Sequence, residues 1–212
     1  MSSADGQPYS ELAALGVATV YEASGQHGLI DVELTQVIPG SRVAGPARTV
    51  RCGQGDNLMV HAVLSRVQPG EVLVLTMPRP EPIALVGDIL ATQAKLRGVA
   101  ALLVDAAVRD LDELAELGLP IWARYVRARG AKKTEAGTID EPVTVGGTVI
   151  RAGDVVVLDG DGAVAVERER LSDVLEAARE RAEQETEKRA RLERGELTYD
   201  LYGLRGLVEG KE

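Results

Sequence analysis

Val99-Ala100-Ala101-Leu102-Leu103-Val104-Asp105-Ala106-Ala107-Val108-Arg109-Asp110-Leu111-Asp112-Glu113 is the stretch of this 212-residue chain that decides its fold. Val99 to Val104 is an unbroken apolar run, the pattern of a strand covered on both faces. A short helical segment, Asp110 to Leu117, follows it and stops at Gly118. A buried strand that leads into a helix argues an α/β layer with parallel pairing. The small residues Ala106-Ala107 read as a short loop. That loop sets Arg109 and Asp110 at the C-terminal end of the strand, where open α/β sheets place ligands.

Upstream, Gly87 opens a helix over Asp88 to Leu96, and Gly98 follows it. Glu71 to Met77 is an apolar strand-type run, and the prolines of residues 78–82 make a loop. Asp56 to Val67 reads as a helix, and a strand is expected within Val43 to Arg51. The first periodic segment runs from about Ser10 to Ser24. Ser10 can cap it, Leu12, Leu15 and Thr19 begin one face, and Gly25 stops it.

Downstream, the character changes after Gly137. Val143-Thr144-Val145 and Thr148-Val149-Ile150 flank Gly146-Gly147, a strong hairpin signal. Val155 to Leu158 and Ala163 to Glu167 flank a second turn, Asp159-Gly160-Asp161-Gly162. The last helix starts near Arg170, with Leu171, Val174, Leu175, Ala178 and Ala182 in one stripe. Beyond Ala182 charge dominates to Arg194, as in a solvated helix or one that crosses onto a neighbouring subunit.

The net charge of -9 and the scarcity of aromatics, 3%, argue against nucleic acid or anionic membranes as partners. With no Phe, the core falls to Val, Leu, Ile and Ala. Cys52, the single cysteine, excludes an intrachain disulfide and a Cys-rich zinc site, and its apolar surroundings mark it as buried. No apolar run reaches spanning length, and Met-Ser-Ser-Ala-Asp-Gly lacks a leader core, so a soluble cytoplasmic protein is expected. Two histidines, His27 and His61, are too few for a His-rich zinc centre. No GxGxxG loop, Walker lysine loop or GxSxG elbow is present. Carboxylate chemistry remains, and carboxylates with water suit Mg²⁺ or Mn²⁺.

Arg109 can grip a carboxylate bidentately, and Asp110 can hold a divalent ion beside it. Asp110 with Glu113 also spells a capping box, which alone would explain both acids. Gly87-Asp88-Ile89-Leu90 offers free N–H groups to an anion, although an ordinary helix start with Asp88 on the macrodipole accounts for the same pattern. Glu22 sits in the last turn of its helix, where a carboxylate is mildly disfavoured; a solvated Glu is the plainer reading. Asn57 and His61 share a helix face at i, i+4; a capping or supporting role explains Asn57 as well as substrate contact does, and His61 alone reads as structural.

Taken together, the segments resemble a known family. The run from Leu15 to Gly25, Val43-Ala44-Gly45-Pro46-Ala47-Arg48-Thr49-Val50 and Gly55-Asp56-Asn57-Leu58-Met59-Val60-His61 are similar to its N-terminal motifs. Gly87-Asp88, Val108-Arg109-Asp110 with Glu113, and Leu201-Tyr202-Gly203-Leu204-Arg205 follow in order. The family is the class II 4-hydroxy-4-methyl-2-oxoglutarate / 4-carboxy-4-hydroxy-2-oxoadipate aldolases, which share a fold with the regulator of ribonuclease E activity. The resemblance covers Leu12 to Leu204. One departure is Ala106-Ala107, where relatives often carry glycine and where methyls would crowd the loop.

The resemblance implies an α/β, layered ββα swivelling-domain-like fold with a C-terminal helical extension. Residues 1–169 would form the catalytic domain, and the helix and tail of 170–212 would pack on a neighbouring subunit. It implies a homotrimer or hexamer, Asp110 as the ligand to Mg²⁺ or Mn²⁺, and Arg109 on the oxo-acid. It also implies Asp88 and Glu22 on metal-bound waters, Gly87, Asp88, Ile89, Leu90 and Asn57 around the substrate, and Glu185 from the neighbour. The implied reaction is pyruvate-forming cleavage of a 4-hydroxy-2-oxo di- or tricarboxylate, with oxaloacetate decarboxylation on the side. A Schiff-base route is disfavoured because Lys95, Lys132 and Lys133 sit in polar or basic sequence. The alternative class is a non-catalytic protein-binding regulator similar to the ribonuclease E inhibitor. Methyl transfer lacks a glycine-rich cofactor loop.

Overall fold

In the computed structural model the described residues are 7–209, so Met1 to Gly6, read above as lacking a leader core, lie outside them. Helices α1 (Gln7–Leu15) and α2 (Val17–Ala23) precede strands β1 (Thr35–Gln36) and β2 (Val43–Arg51). Then come α3 (Leu58–Val63), β3 (Val72–Thr76), β4 (Ala84–Val86), α4 (Asp88–Leu96), β5 (Ala101–Val108), α5 (Leu111–Leu117) and β6 (Ile121–Val126). The β-rich part holds β7 (Thr138–Ile139), β8 (Val143–Val145), β9 (Thr148–Ile150), β10 (Val155–Asp159) and β11 (Gly162–Val166). Three helices end the chain, α6 (Leu171–Glu193), α7 (Thr198–Leu201) and α8 (Arg205–Val208).

The main sheet runs β1-β6-β5-β3-β2-β10-β11, with β4 beside β5 and β7 beside β2. β2, β3, β5 and β6 pair in parallel, while β10 joins β2 and β11 antiparallel. Side-chain alternation sets the layers. Leu73, Leu75, Leu102 and Val104 face a core shared with α3, α4 and α5. Their neighbours Val72, Val74, Ala101 and Leu103 face a second core, which Val156, Leu158, Ala163 and Ala165 enter from β10 and β11. Both halves of the sheet therefore turn their inner faces onto one core. The outer face of β10 and β11 presents Val155, Val157, Val164 and Val166 to α1, α2 and α6. The result is the expected layered α/β fold with a helical extension.

The structure corrects the sequence expectations in detail. The first helix is two helices, broken at Gly16, which has φ +84°. A Cβ there would sit 2.8 Å from Asp159 Oδ2, the atom that instead accepts the Val17 N–H at 2.9 Å and caps α2. Ser10 lies within α1, not ahead of it. α3 is shorter than Asp56 to Val67, because the Asp56 carboxylate stands ahead of the helix and accepts the Leu58 N–H at 2.8 Å.

β5 runs on to Val108, so Ala106 and Ala107 are fully buried strand residues rather than a loop. Asp105 breaks the apolar run without ending the strand, since Arg124 Nε donates to it at 2.6 Å. The Gly146-Gly147 hairpin forms as read, with φ values of +53° and +80° that suit its tight turn. Along α6 the stripe is buried at Val174, Leu175 and Ala178, and no residue beyond Ala182 is buried among those described. Cys52 is buried, and burial pushes its thiol up to about 12. Among the described residues no helix is long and apolar enough to cross a membrane.

Candidate active site

The site grows from two strands that end side by side. Val86 of β4 pairs with Val108 of β5, so Gly87-Asp88 and Arg109-Asp110 leave the sheet as neighbours. The Arg109 N–H donates to the Val86 carbonyl at 3.1 Å. Asp110 then takes a left-handed conformation, φ 60° and ψ 49°, and its side chain makes no cap bond to α5. The capping box expected from Asp110 and Glu113 does not form. The carboxylate turns the other way: Oδ2 accepts the Asp88 N–H at 3.2 Å and lies 3.4 Å from Arg109 Nε.

Two glycines make room for this pair. A Cβ on Gly87 would meet Asp110 Oδ2 at 2.3 Å, and one on Gly130 would meet Arg109 Nη1 at 2.7 Å. At either position a Cβ would push the Asp110 carboxylate or the end of the Arg109 side chain from its place, so glycine is what leaves the pair where it stands.

A cavity of about 130 Å³ opens beside Arg109. One wall is the first turn of α4, Gly87 to Leu90. The N–H groups of Ile89 and Leu90 precede any possible i−4 acceptor in the helix, so they remain for a ligand. With Arg109 nearby they favour an anion, and a carboxylate fits both. A second wall carries Asn57 and His61, one turn apart, as their i, i+4 spacing required. Asn57 Nδ2 donates to the Leu85 carbonyl at 2.9 Å, while its buried Oδ1 has no partner among the described residues. Ala131 and Lys133 form the third wall.

Lys133 is a cavity residue that the sequence reading set aside. It is exposed. Its arrival depends on distant backbone pairings, Asp56 with Lys132 and Ala84 with Gly130, and its own sequence carries no signal of them.

Glu22 and Glu185 are not brought to this cavity within one chain. Glu22 is exposed on α2, in the layer over β10 and β11, and accepts from Gln26 Nε2 at 3.3 Å. Glu185 lies on α6 beyond its buried residues, 3.1 Å from Arg181 and 3.8 Å from Arg189.

Among the described residues no three His, Cys, Asp or Glu side chains gather into a metal cage. The donors present still suit a hard cation that keeps most of its waters. The Asp110 side chain is 33% exposed and its Oδ1 has no hydrogen-bond partner among the described residues, so one carboxylate oxygen is available beside Arg109. Asp88, half-buried and next to it, supplies a second carboxylate.

Residues 17–165 match the family described as RraA-like: Aldolase/RraA. Over 150 residues the chain is 37% identical to a protein of Halalkalibacterium halodurans named "Putative 4-hydroxy-4-methyl-2-oxoglutarate aldolase", covering 70% of this chain and 71% of that one. Streptomyces coelicolor RraAS2, described as an unusual member of the RNase ES inhibitor RraA protein family, is similar in structure. Its TM-score is 0.78 at 31% identity, over 87% of this chain and 96% of the other. A Geobacillus kaustophilus structure, described as S-adenosylmethionine: 2-dimethylmenaquinone methyltransferase, has a TM-score of 0.62 at 29% identity, over 67% and 88% of the two chains.

Proposed function

The chain belongs to the RraA-like, Aldolase/RraA family, and on that premise we propose that it is a Mg²⁺- or Mn²⁺-dependent lyase. It cleaves 4-hydroxy-2-oxo di- or tricarboxylic acids to pyruvate and a second oxo-acid, and decarboxylates oxaloacetate on the side. One observation carries this reading: Arg109 and the first turn of α4 line one cavity, and the Asp110 carboxylate, just outside that lining, is tied to both, 3.4 Å from Arg109 Nε and accepting the Asp88 N–H at 3.2 Å.

In this reading the Ile89 and Leu90 N–H groups hold the C1 carboxylate of the oxo-acid. Arg109 faces the 2-oxo oxygen, where charge develops as the C3–C4 bond breaks. Asp110 would hold the cation, with Asp88 beside it, and the bound ion supplies Lewis acidity at that same oxygen. Asp88 accepts a hydrogen bond from water or the C4 hydroxyl at the cavity edge. Asn57 Oδ1, buried and unpartnered, accepts from a bound ligand or an ordered water. Glu22 and Glu185 would reach the site from a neighbouring subunit of a trimer or hexamer in the cytoplasm.

The test couples pyruvate release from 4-hydroxy-4-methyl-2-oxoglutarate, and separately from oxaloacetate, to lactate dehydrogenase. EDTA should abolish both activities, and Mg²⁺ or Mn²⁺ should restore them. Borohydride with pyruvate should leave the enzyme active; lasting inactivation would move the chemistry to Lys133 as a Schiff base.

A second reading, a non-catalytic protein-binding regulator, draws on the likeness to Streptomyces coelicolor RraAS2 and on the net charge of -9. Metal-dependent turnover that Arg109→Ala removes would decide for the enzyme.

A further inference from the structure

The wall of the cavity that carries Ala131 and Lys133 lies between β6 and β7, on chain without helix or strand. Such a segment needs an outside anchor to hold a fixed position. Asp56, 1% exposed, provides one. Its Oδ2 accepts the Thr134 N–H at 2.6 Å, the Thr134 hydroxyl at 3.2 Å and the Glu135 N–H at 3.0 Å. Its Oδ1 accepts the Leu58 N–H at 2.8 Å. Burial pushes this carboxyl up, but the donors from Thr134, Leu58 and Glu135 together outweigh it and hold it below its ordinary value.

A helix-start role accounts for the Leu58 bond alone. The bonds to Thr134 and Glu135 reach 78 and 79 residues along the chain. Backbone pairing runs beside them, with the Lys132 N–H on the Gly55 carbonyl and the Asn57 N–H on the Lys132 carbonyl, both at 2.9 Å. The next side chain, Asn57, reaches the opposite way to Leu85. Two adjacent residues thus tie the start of α3 to the 131–135 segment and to β4, the strand that leads into α4. Close approach at the far end agrees: a Cβ on Gly137 would lie 1.9 Å from the Arg51 carbonyl oxygen.

We propose that Asp56 is a positioning residue, which fixes the 131–135 wall against α3 and so sets the cavity's affinity for a small anionic ligand it does not touch. The ligand's chemistry rests on the aldolase reading; the anchoring does not.

The test compares the full chain with Asp56→Asn and with Thr134→Pro, which deletes the Thr134 N–H and hydroxyl but leaves the carboxylate. Amide hydrogen exchange reads the wall, and calorimetry with oxalate in Mg²⁺ reads the cavity. Exchange at residues 132–137 should rise about tenfold or more in both variants, while residues 101–108 keep their protection. Oxalate should bind about tenfold more weakly, and KM for oxaloacetate should rise with kcat within about twofold. Unchanged exchange at 132–137 overturns the anchoring. A released wall with unchanged oxalate affinity and KM overturns the positioning role. Should Asp56→Asn not fold, Thr134→Pro gives both readings. A wild type that neither binds oxalate nor turns over defeats the aldolase reading, and exchange still decides the anchoring.

Discussion

Gly87 and Gly130 have no side chain to offer chemistry, yet they fix where Arg109 and Asp110 can stand. Each leaves space that a methyl would fill at 2.3 Å from Asp110 Oδ2 or 2.7 Å from Arg109 Nη1. We expect Gly87→Ala and Gly130→Ala each to lower kcat/KM by about 10²-fold, the effect of misplacing a reacting group by about 1 Å. Steady-state kinetics beside a thermal melt checks this; full activity in either variant would show that the pair adapts. Asp56 makes a pH prediction. Its carboxyl is held below 3.8, so its contribution to folding is present above that pH and is lost as pH falls through the lower folded-state value. Protection of residues 132–137, measured against the intrinsic exchange rate at each pH, should therefore fall below about pH 4 in the wild type, and Asp56→Asn should flatten that dependence. At this scale the sequence displays Arg109 and Asp110 at a strand end. It conceals the Asp110 conformation, because a left-handed φ at a non-glycine residue leaves no local pattern and the spacing to Glu113 mimics a cap. Lys133 is concealed for a different reason, its position being set by residues far along the chain.

Elements were legible where a local pattern dominates and less so where tertiary partners decide. α4 falls on Asp88–Leu96 as read, since Gly87 and the apolar period agree. The Gly-Gly hairpin and the β10–β11 pair form as read, because their turns are written in glycine. β5 outruns its apolar stretch because β4 and β6 supply pairing partners past Val104, which no property of residues 105–108 announces. α6 is a mixed case: its apolar stripe predicts the buried base, and nothing in it says what covers the charged remainder. Leu175 in that base is 6% exposed and packs with Val20 and Val157 in the outer core. Leu175→Ala should cost about 2–4 kcal/mol in a urea titration. A loss below about 1 kcal/mol would mean that the helix adds little to the fold.

For the whole molecule, the alternation of strand and helix followed by hairpins foretold an α/β body with a β-rich section. It did not foretell that both sheet halves would enclose one core, since that depends on β2 pairing β3 on one side and β10 on the other. This topology puts α4 and α5 on one outer layer and α1, α2 and α6 on the other. Glu22 and Glu185 belong to the second layer and the cavity to the first, so in the proposed reading these two carboxylates reach the cavity from another copy, beside the same-chain Asp88 and Asp110. The two also stand apart: Arg170 at the start of α6 bonds the Ser24 carbonyl at 2.9 Å, near Glu22. Glu185 lies about 21 Å further along that helix at 1.5 Å per residue. Each therefore needs its own test by subunit mixing. Arg109→Ala and Glu22→Ala should each be inactive as pure assemblies. Co-refolded in equal amounts, they should regain about a quarter of wild-type activity, because one site in four then draws an intact Arg109 and an intact Glu22 from different subunits. Arg109→Ala with Glu185→Ala should behave alike. Pure Glu22→Ala or Glu185→Ala with wild-type turnover would remove that residue from the site, and mixtures that stay inactive would place the needed carboxylate within the same chain as Arg109.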